Sequence, residues 1–219
     1  MNTLTKLALG LMGRTKPRPA VGDAAASSAL PPPTQDGGMP LMEALRRRRS
    51  QREFSPAPLG EQCLSDLLWA AAGVNRPELG GRTAPSAMNA QEVELYVALP
   101  KGLFRYEPKA HELRLMLASD VRGVTGYQDF VDDAALDLIY VADHTRMKLV
   151  PAAQREAYAF TAAGAMAQNV YLYCASADLA TVVRAWFDRS ALSQAMGLGN
   201  DEQLLLAQTV GAVKPGKGA

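Results

Sequence analysis

Cysteine and histidine are both scarce in this 219-residue chain, at two each: Cys63 and Cys174, His111 and His144. Two cysteines cannot build a disulfide framework or a four-thiolate zinc site, and two histidines are too few for a histidine-rich metal centre. A chain of this length buries roughly 70% of its unfolded surface and needs no disulfide scaffold. Neither sign of charge dominates. Lys and Arg number 23 against 22 Asp and Glu, for a formal net charge of +1. That balance argues against a generally basic nucleic-acid binder and against an acidic disordered chain. Nor does any run approach the roughly 18 apolar residues of a spanning helix. What remains is a soluble globular domain without a structural metal.

Aromatic residues are absent from the first 53 positions, Phe54 being the first, and six of the 14 prolines fall within the first 40. Such a stretch buries too little apolar surface to offset its ordering entropy. Residues 1–38 are therefore expected to form a Pro/Ala-rich tail, and residues 39–219 the domain. The tail reads as a disordered or docking arm of a cytoplasmic protein. A degenerate export signal is the alternative, but the apolar stretch from Leu4 to Met12 is short and Arg14, Lys16 and Arg18 follow it.

Within the domain, Leu41, Met42 and Leu45 are spaced as on a helix, with Pro40 suited to its first turn. Leu64, Leu67, Leu68 and Ala71 form the stripe of a second helix that Gly73 stops. Val93 to Leu99, Leu103 to Tyr106 and Glu112 to Leu117, separated by turns, predict a meander of hairpins. Leu136 to Ala142 and Leu204 to Val213 read as further strands, with a short extended piece at Thr181 to Val183. Ala152 to Ala177 lacks proline and predicts the longest helix, buried on most sides. A short helix from Asp188 to Met196 ends at Gly197. Helices and hairpins alternate without a βαβ rhythm, so the expected class is α+β.

Three constellations could carry chemistry. Arg46 to Arg49 run into Ser50-Gln51-Arg52, with Arg48, Ser50 and Arg52 at alternating positions. Forked guanidinium donors and a hydroxyl on one side of an extended segment suit phosphate oxygens, although a solvated basic helix end has the same spelling. Pro85-Ser86-Ala87-Met88-Asn89-Ala90-Gln91 offers amides that pair donor with acceptor, as the edge of a heteroaromatic ring requires, or else forms a simple turn. Gly164-Ala165-Met166-Ala167-Gln168-Asn169 lies in the long helix and permits close approach of another helix or backbone. His111 and His144 read as turn or surface residues, and the two cysteines as core thiols.

In this order and spacing, from about Leu41 to Lys214, the three segments resemble the FMN-dependent nitroreductase family, whose wider superfamily includes azoline-type dehydrogenases. Arg48-x-Ser50-x-Arg52-x-Phe54 is similar to its opening flavin-phosphate motif, the Pro-Ser loop to its second motif, and Ala163 to Asn169 followed by Tyr171-Leu172 to its core helix. The resemblance implies an antiparallel-rich sheet flanked by helices and a homodimer with FMN at the subunit interface. It implies that Arg48, Ser50 and Arg52 contact the phosphate and ribityl chain. Asn89 would meet the isoalloxazine edge, and Pro85, Ser86, Ala87 and Met88 would line the ring. The backbone of Arg184, Ala185 and Trp186 would approach flavin N5, with no side chain assigned as acid or base. Lys214 would add a late phosphate contact, with Lys217 a weaker candidate. Glu92 departs from the pattern, because a proline is common there.

The implied activity is a ping-pong cycle in which NAD(P)H reduces the flavin and a nitroaromatic or quinone-like acceptor reoxidises it. Alternatives are an azoline-type dehydrogenase of peptide maturation, or a flavin- or nucleotide-binding module without catalysis. No membrane span and no nucleic-acid partner are expected.

Overall fold

Side chains that alternate along strands and recur every three to four residues along helices build three layers. The computed structural model describes residues 26–215. Its strands are Ser27–Ala29 (β1), Val74–Arg76 (β2), Gly81–Arg82 (β3), Val93–Leu99 (β4), Gly102–Glu107 (β5), Glu112–Leu117 (β6), Leu136–Asp143 (β7), Leu179–Arg184 (β8) and Glu202–Ala212 (β9). The helices are Leu41–Arg47 (α1), Glu61–Ala72 (α2), Ala152–Ser176 (α3) and Arg189–Met196 (α4). Seven strands form one sheet in the order β1-β6-β5-β4-β7-β9-β8, and every pairing is antiparallel. β2 and β3 make a separate small hairpin.

The sheet separates two apolar cores. On one face Val93, Leu95, Val97, Leu138 and Tyr140 pack with Leu67 and Leu68 of α2 and Ala163, Met166 and Val170 of α3. On the other, Tyr96, Ala98, Ile139 and Val141 pack with Phe187 and with Leu192 of α4. β7 is buried along its whole length because both layers cover it. α4 starts where the Asp188 carboxylate accepts from Ala191 N at 2.9 Å, and stops at Gly197, whose φ of 66° suits glycine.

The α+β class, the meander and the long helix agree with the sequence reading. Two features differ from it. Part of the expected tail joins the domain: β1 pairs with β6, and Thr34 N donates to Asp66 Oδ1 at 2.7 Å. Backbone pairing and polar anchors need no aromatic residues, so composition alone missed them. The reading of residues 1–25 lies outside the described residues. Second, α3 is not buried on most sides. Ala157, Thr161, Gly164 and Gln168 form an exposed stripe, and a Cβ added at Gly164 would meet nothing within 4 Å. Alanine-rich sequence hides this amphipathicity, because small residues serve on either face. Among the described residues, no helix is long and apolar enough to cross a membrane.

Candidate functional site

The arginine run divides into two halves. Arg46 and Arg47 belong to α1, and both bond the Glu43 carboxylate, at 2.5 and 2.6 Å. Those bonds hold Glu43 down to about 2. Arg48, Arg49 and Arg52 have left the helix, and among the described residues none of them is within ion-pair distance of a carboxylate. Arg48 lies over the Tyr171 ring, 5.3 Å from its centroid. Ser50 Oγ is 2.8 Å from Tyr171 Oη, and Val183 N donates to the same hydroxyl at 3.0 Å. Tyr171 thus ties the first motif to the free edge of β8. Sequence reading noted Tyr171 only as part of the core-helix pattern.

Backbone bonds fix the rest of this motif. Gln51 N donates to Thr181 O at 2.9 Å, and buried Phe54 bridges Val213. The antiparallel bridge brings Lys214 alongside Glu53, its N–H directed at Glu53 O. Arg48, Ser50, Arg52 and Lys214 therefore lie on neighbouring stretches of backbone at this end of the sheet. Lys217 lies outside the described residues.

The segment after β8 is arranged differently from its neighbours. The Arg184 side chain turns inward, onto Asp137 Oδ1 at 2.5 Å and Thr209 Oγ1 at 2.8 Å. Ala185 is exposed, and Trp186 is 72% exposed with its ring 5.5 Å from that of Tyr127. The backbone at 185–186 is thus at the surface, beyond the edge that Tyr171 caps.

The second motif lies elsewhere. Ala87–Asn89 forms a single 3-10 turn, and Met88, Asn89 and Gln91 have φ of 55°, 53° and 52°. Left-handed backbone at three non-glycine positions is costly and persists only where surrounding bonds hold it. Here Ser86 Oγ accepts from Gln91 N at 2.9 Å, while Gln91 Nε2 donates to Gly80 O at 2.6 Å and Asn89 Oδ1 at 3.0 Å. Pro85 and Ser86 line a crevice with Met166, whereas Arg48 and Arg49 line a separate hollow with Gln51 and Leu179. Among the described residues, these two hollows have no lining residue in common.

Glu92, the departure from the family pattern, is fully buried, and neither carboxylate oxygen meets another residue's donor. Burial pushes its carboxyl above the ordinary range, with its own backbone N–H, Arg146, Arg82 and His144 pulling the other way. A raised native pKa means that the folded protein keeps a proton which the unfolded chain has released. Stability then falls as pH rises above the unfolded value of about 4.3. Glu92→Gln is therefore expected to raise Tm at pH 8 by roughly 2–12 °C, the scale of an unsatisfied buried group in a chain this long. At pH 5 the change should be small. Equal shifts at both pH values in thermal melts would contradict this account.

The sequence model of the Nitroreductase family matches residues 45–212. A Methanocaldococcus jannaschii protein assigned to the nitroreductases is 34% identical over 159 residues, covering 68% of this chain and 80% of that protein. A crystal structure from Ralstonia eutropha JMP134, assigned in the same way, is 52% identical with a TM-score of 0.83, covering 91% of this chain and 95% of that one. Two others share the fold. One is a Desulfovibrio desulfuricans structure in complex with FMN, at 20% identity and TM-score 0.60, covering 84% and 91% of the two chains. The other is the E. coli microcin synthetase McbBCD complex with truncated pro-MccB17 bound, at 18% and 0.69, covering 85% and 78%. The chain belongs to the Nitroreductase family, and with it to the oxidoreductases.

Proposed function

We propose that the protein is an FMN-dependent NAD(P)H oxidoreductase that reduces nitroaromatic or quinone-like acceptors by a ping-pong cycle. The carrying observation is the cluster of Arg48, Arg49, Arg52 and Lys214 beside Ser50, which lacks any protein counter-ion among the described residues. Guanidinium groups outside ion-pair distance of any described carboxylate, beside a hydroxyl at a strand edge, fit a phosphate monoester and its polyol chain. When bound, FMN supplies hydride transfer at N5. Arg48, Ser50, Arg52 and Lys214 would hold its phosphate and ribityl chain. The exposed backbone at 185–186 would offer N–H donors toward developing negative charge on the ring.

Pro85, Ser86, Ala87, Met88 and Asn89 would line the ring from a second copy of the chain. Three observations support this homodimer: among the described residues the two motifs line separate hollows, α3 exposes a small-residue stripe, and α1 exposes Leu41 and Met42 at 63% and 75%. Gel filtration with light scattering should give about twice the 23.4 kDa chain mass.

Steady-state turnover with NADH or NADPH and a panel of nitroaromatics and quinones tests the activity. Parallel double-reciprocal lines are expected. A flavin-loaded protein that accepts no hydride from either nicotinamide would exclude the oxidoreductase cycle and leave a flavin-binding module.

A further inference from the structure

β8 ends the sheet, so its outer edge offers backbone N–H and C=O groups to other partners. On an antiparallel strand the groups facing one edge come from alternate residues. The chain leaving α1 takes the first of them, since Gln51 N donates to Thr181 O at 2.9 Å. The N–H two residues on, at Val183, donates instead to Tyr171 Oη at 3.0 Å. Tyr171 is a buried residue of α3, and the Arg48 guanidinium lies over its ring. Its hydroxyl therefore stands between a backbone donor and Ser50 Oγ, which is 2.8 Å away.

This arrangement settles which way the Ser50–Tyr171 bond runs. A phenol has one proton to give and lone pairs to receive. Val183 N–H occupies a lone pair. If Ser50 donated as well, the Tyr171 proton would have no acceptor among the described residues, and a buried donor left unpaired is costly. With Tyr171 donating, every group is satisfied. Ser50 Oγ then receives a hydrogen bond, and its own proton is left to face solvent or a ligand, because Ser50 is exposed.

We propose that Tyr171 is a positioning residue that fixes Ser50 as a hydrogen-bond donor to the flavin phosphate. The assignment rests on the FMN reading of this site. A serine hydroxyl can otherwise turn either its proton or a lone pair toward a ligand, and a lone pair would repel a phosphate dianion. Donation from Tyr171 holds the proton outward and polarises it, which strengthens its bond to an anion. The same side chain holds Arg48 against its face, 5.3 Å from the ring centroid, so one tyrosine organises two groups of the motif.

Equilibrium dialysis of the purified full chain against FMN, and against riboflavin, which lacks the phosphate, tests this. Tyr171→Phe keeps the ring beneath Arg48 and removes only the hydroxyl. It should weaken FMN binding by about three- to tenfold, as expected when a charge-assisted bond loses its pre-set donor, and leave riboflavin unchanged. Ser50→Ala should weaken FMN by at least about tenfold, through loss of one hydrogen bond to a charged group. In the Ser50→Ala background, Tyr171→Phe should change FMN affinity by less than about twofold, because it acts through the serine. Unchanged or tighter FMN binding in Tyr171→Phe would overturn the proposal, since that is the result for a serine released from donating to the phenol. So would an equal loss with and without Ser50, the result for a β8 edge that merely loosens. Undiminished FMN binding in Ser50→Ala would overturn it even if Tyr171→Phe failed to fold. Wild-type protein that binds neither flavin, or both alike, would overturn the phosphate reading itself and this proposal with it.

Discussion

Replacing Arg48 and Arg52 together by alanine is expected to yield a nearly colourless protein that folds normally. Each arginine would give the FMN phosphate a charge-assisted hydrogen bond worth about 1.5–3 kcal/mol, so losing both weakens retention by roughly 10² to 10⁴-fold. Neither residue holds the fold together. Arg52 is exposed, and Arg48 touches only the face of Tyr171. Arg46→Ala supplies the control. Arg46 is already paired with Glu43, on a side chain 70% exposed, so its loss should leave flavin content unchanged. Equal flavin loss in both variants would mean that the run acts through net charge and not through the three arginines beyond the helix. Unchanged occupancy in the double variant would show that these arginines are surface charge.

The second large effect is expected at Asp137, far from the motifs in sequence. Asp137 is fully buried, and its Oδ1 accepts from Arg184 at 2.5 Å and from Thr209 Oγ1 at 2.5 Å. Arg184 also donates to Thr125 O at 2.6 Å. This network fixes the end of β8, immediately before the exposed 185–186 backbone. Burial pushes the Asp137 carboxyl up, while Arg184 and the threonine hydroxyls favour the charged form. Asp137→Asn preserves shape but leaves the guanidinium buried without its counter-ion. Breaking such a pair costs about 3–5 kcal/mol, which in a chain this long lowers Tm by roughly 6–20 °C. Adding Arg184→Met should recover at least half of that loss, because the stranded charge is gone. A double variant no more stable than Asp137→Asn alone would locate the cost in packing instead of in the unpaired charge.

Much of this architecture is legible in the sequence, for local reasons. β4 is bounded as its alternation and the Pro100-Lys101-Gly102 turn require. Asp188 and Gly197 delimit α4 by their own cap chemistry. The Glu43 pairing that divides the arginine run is also a local signal, since Glu43 stands three and four residues before Arg46 and Arg47. What sequence does not reveal is nonlocal. β1 has only small residues and exists because β6 offers it an edge. The Tyr171 hydroxyl acquires its role from Ser50, 121 positions away. Arg184 and Asp137 are 47 positions apart, and their meeting depends on where β7, β8 and β9 lie side by side.

The visible absorption spectrum of the purified protein, recorded before and after adding NADH or NADPH, tests the central claim most directly. The account predicts a yellow protein with oxidised-flavin bands that bleach on reduction and return when an acceptor is supplied. A colourless protein that stays colourless after incubation with FMN would contradict it.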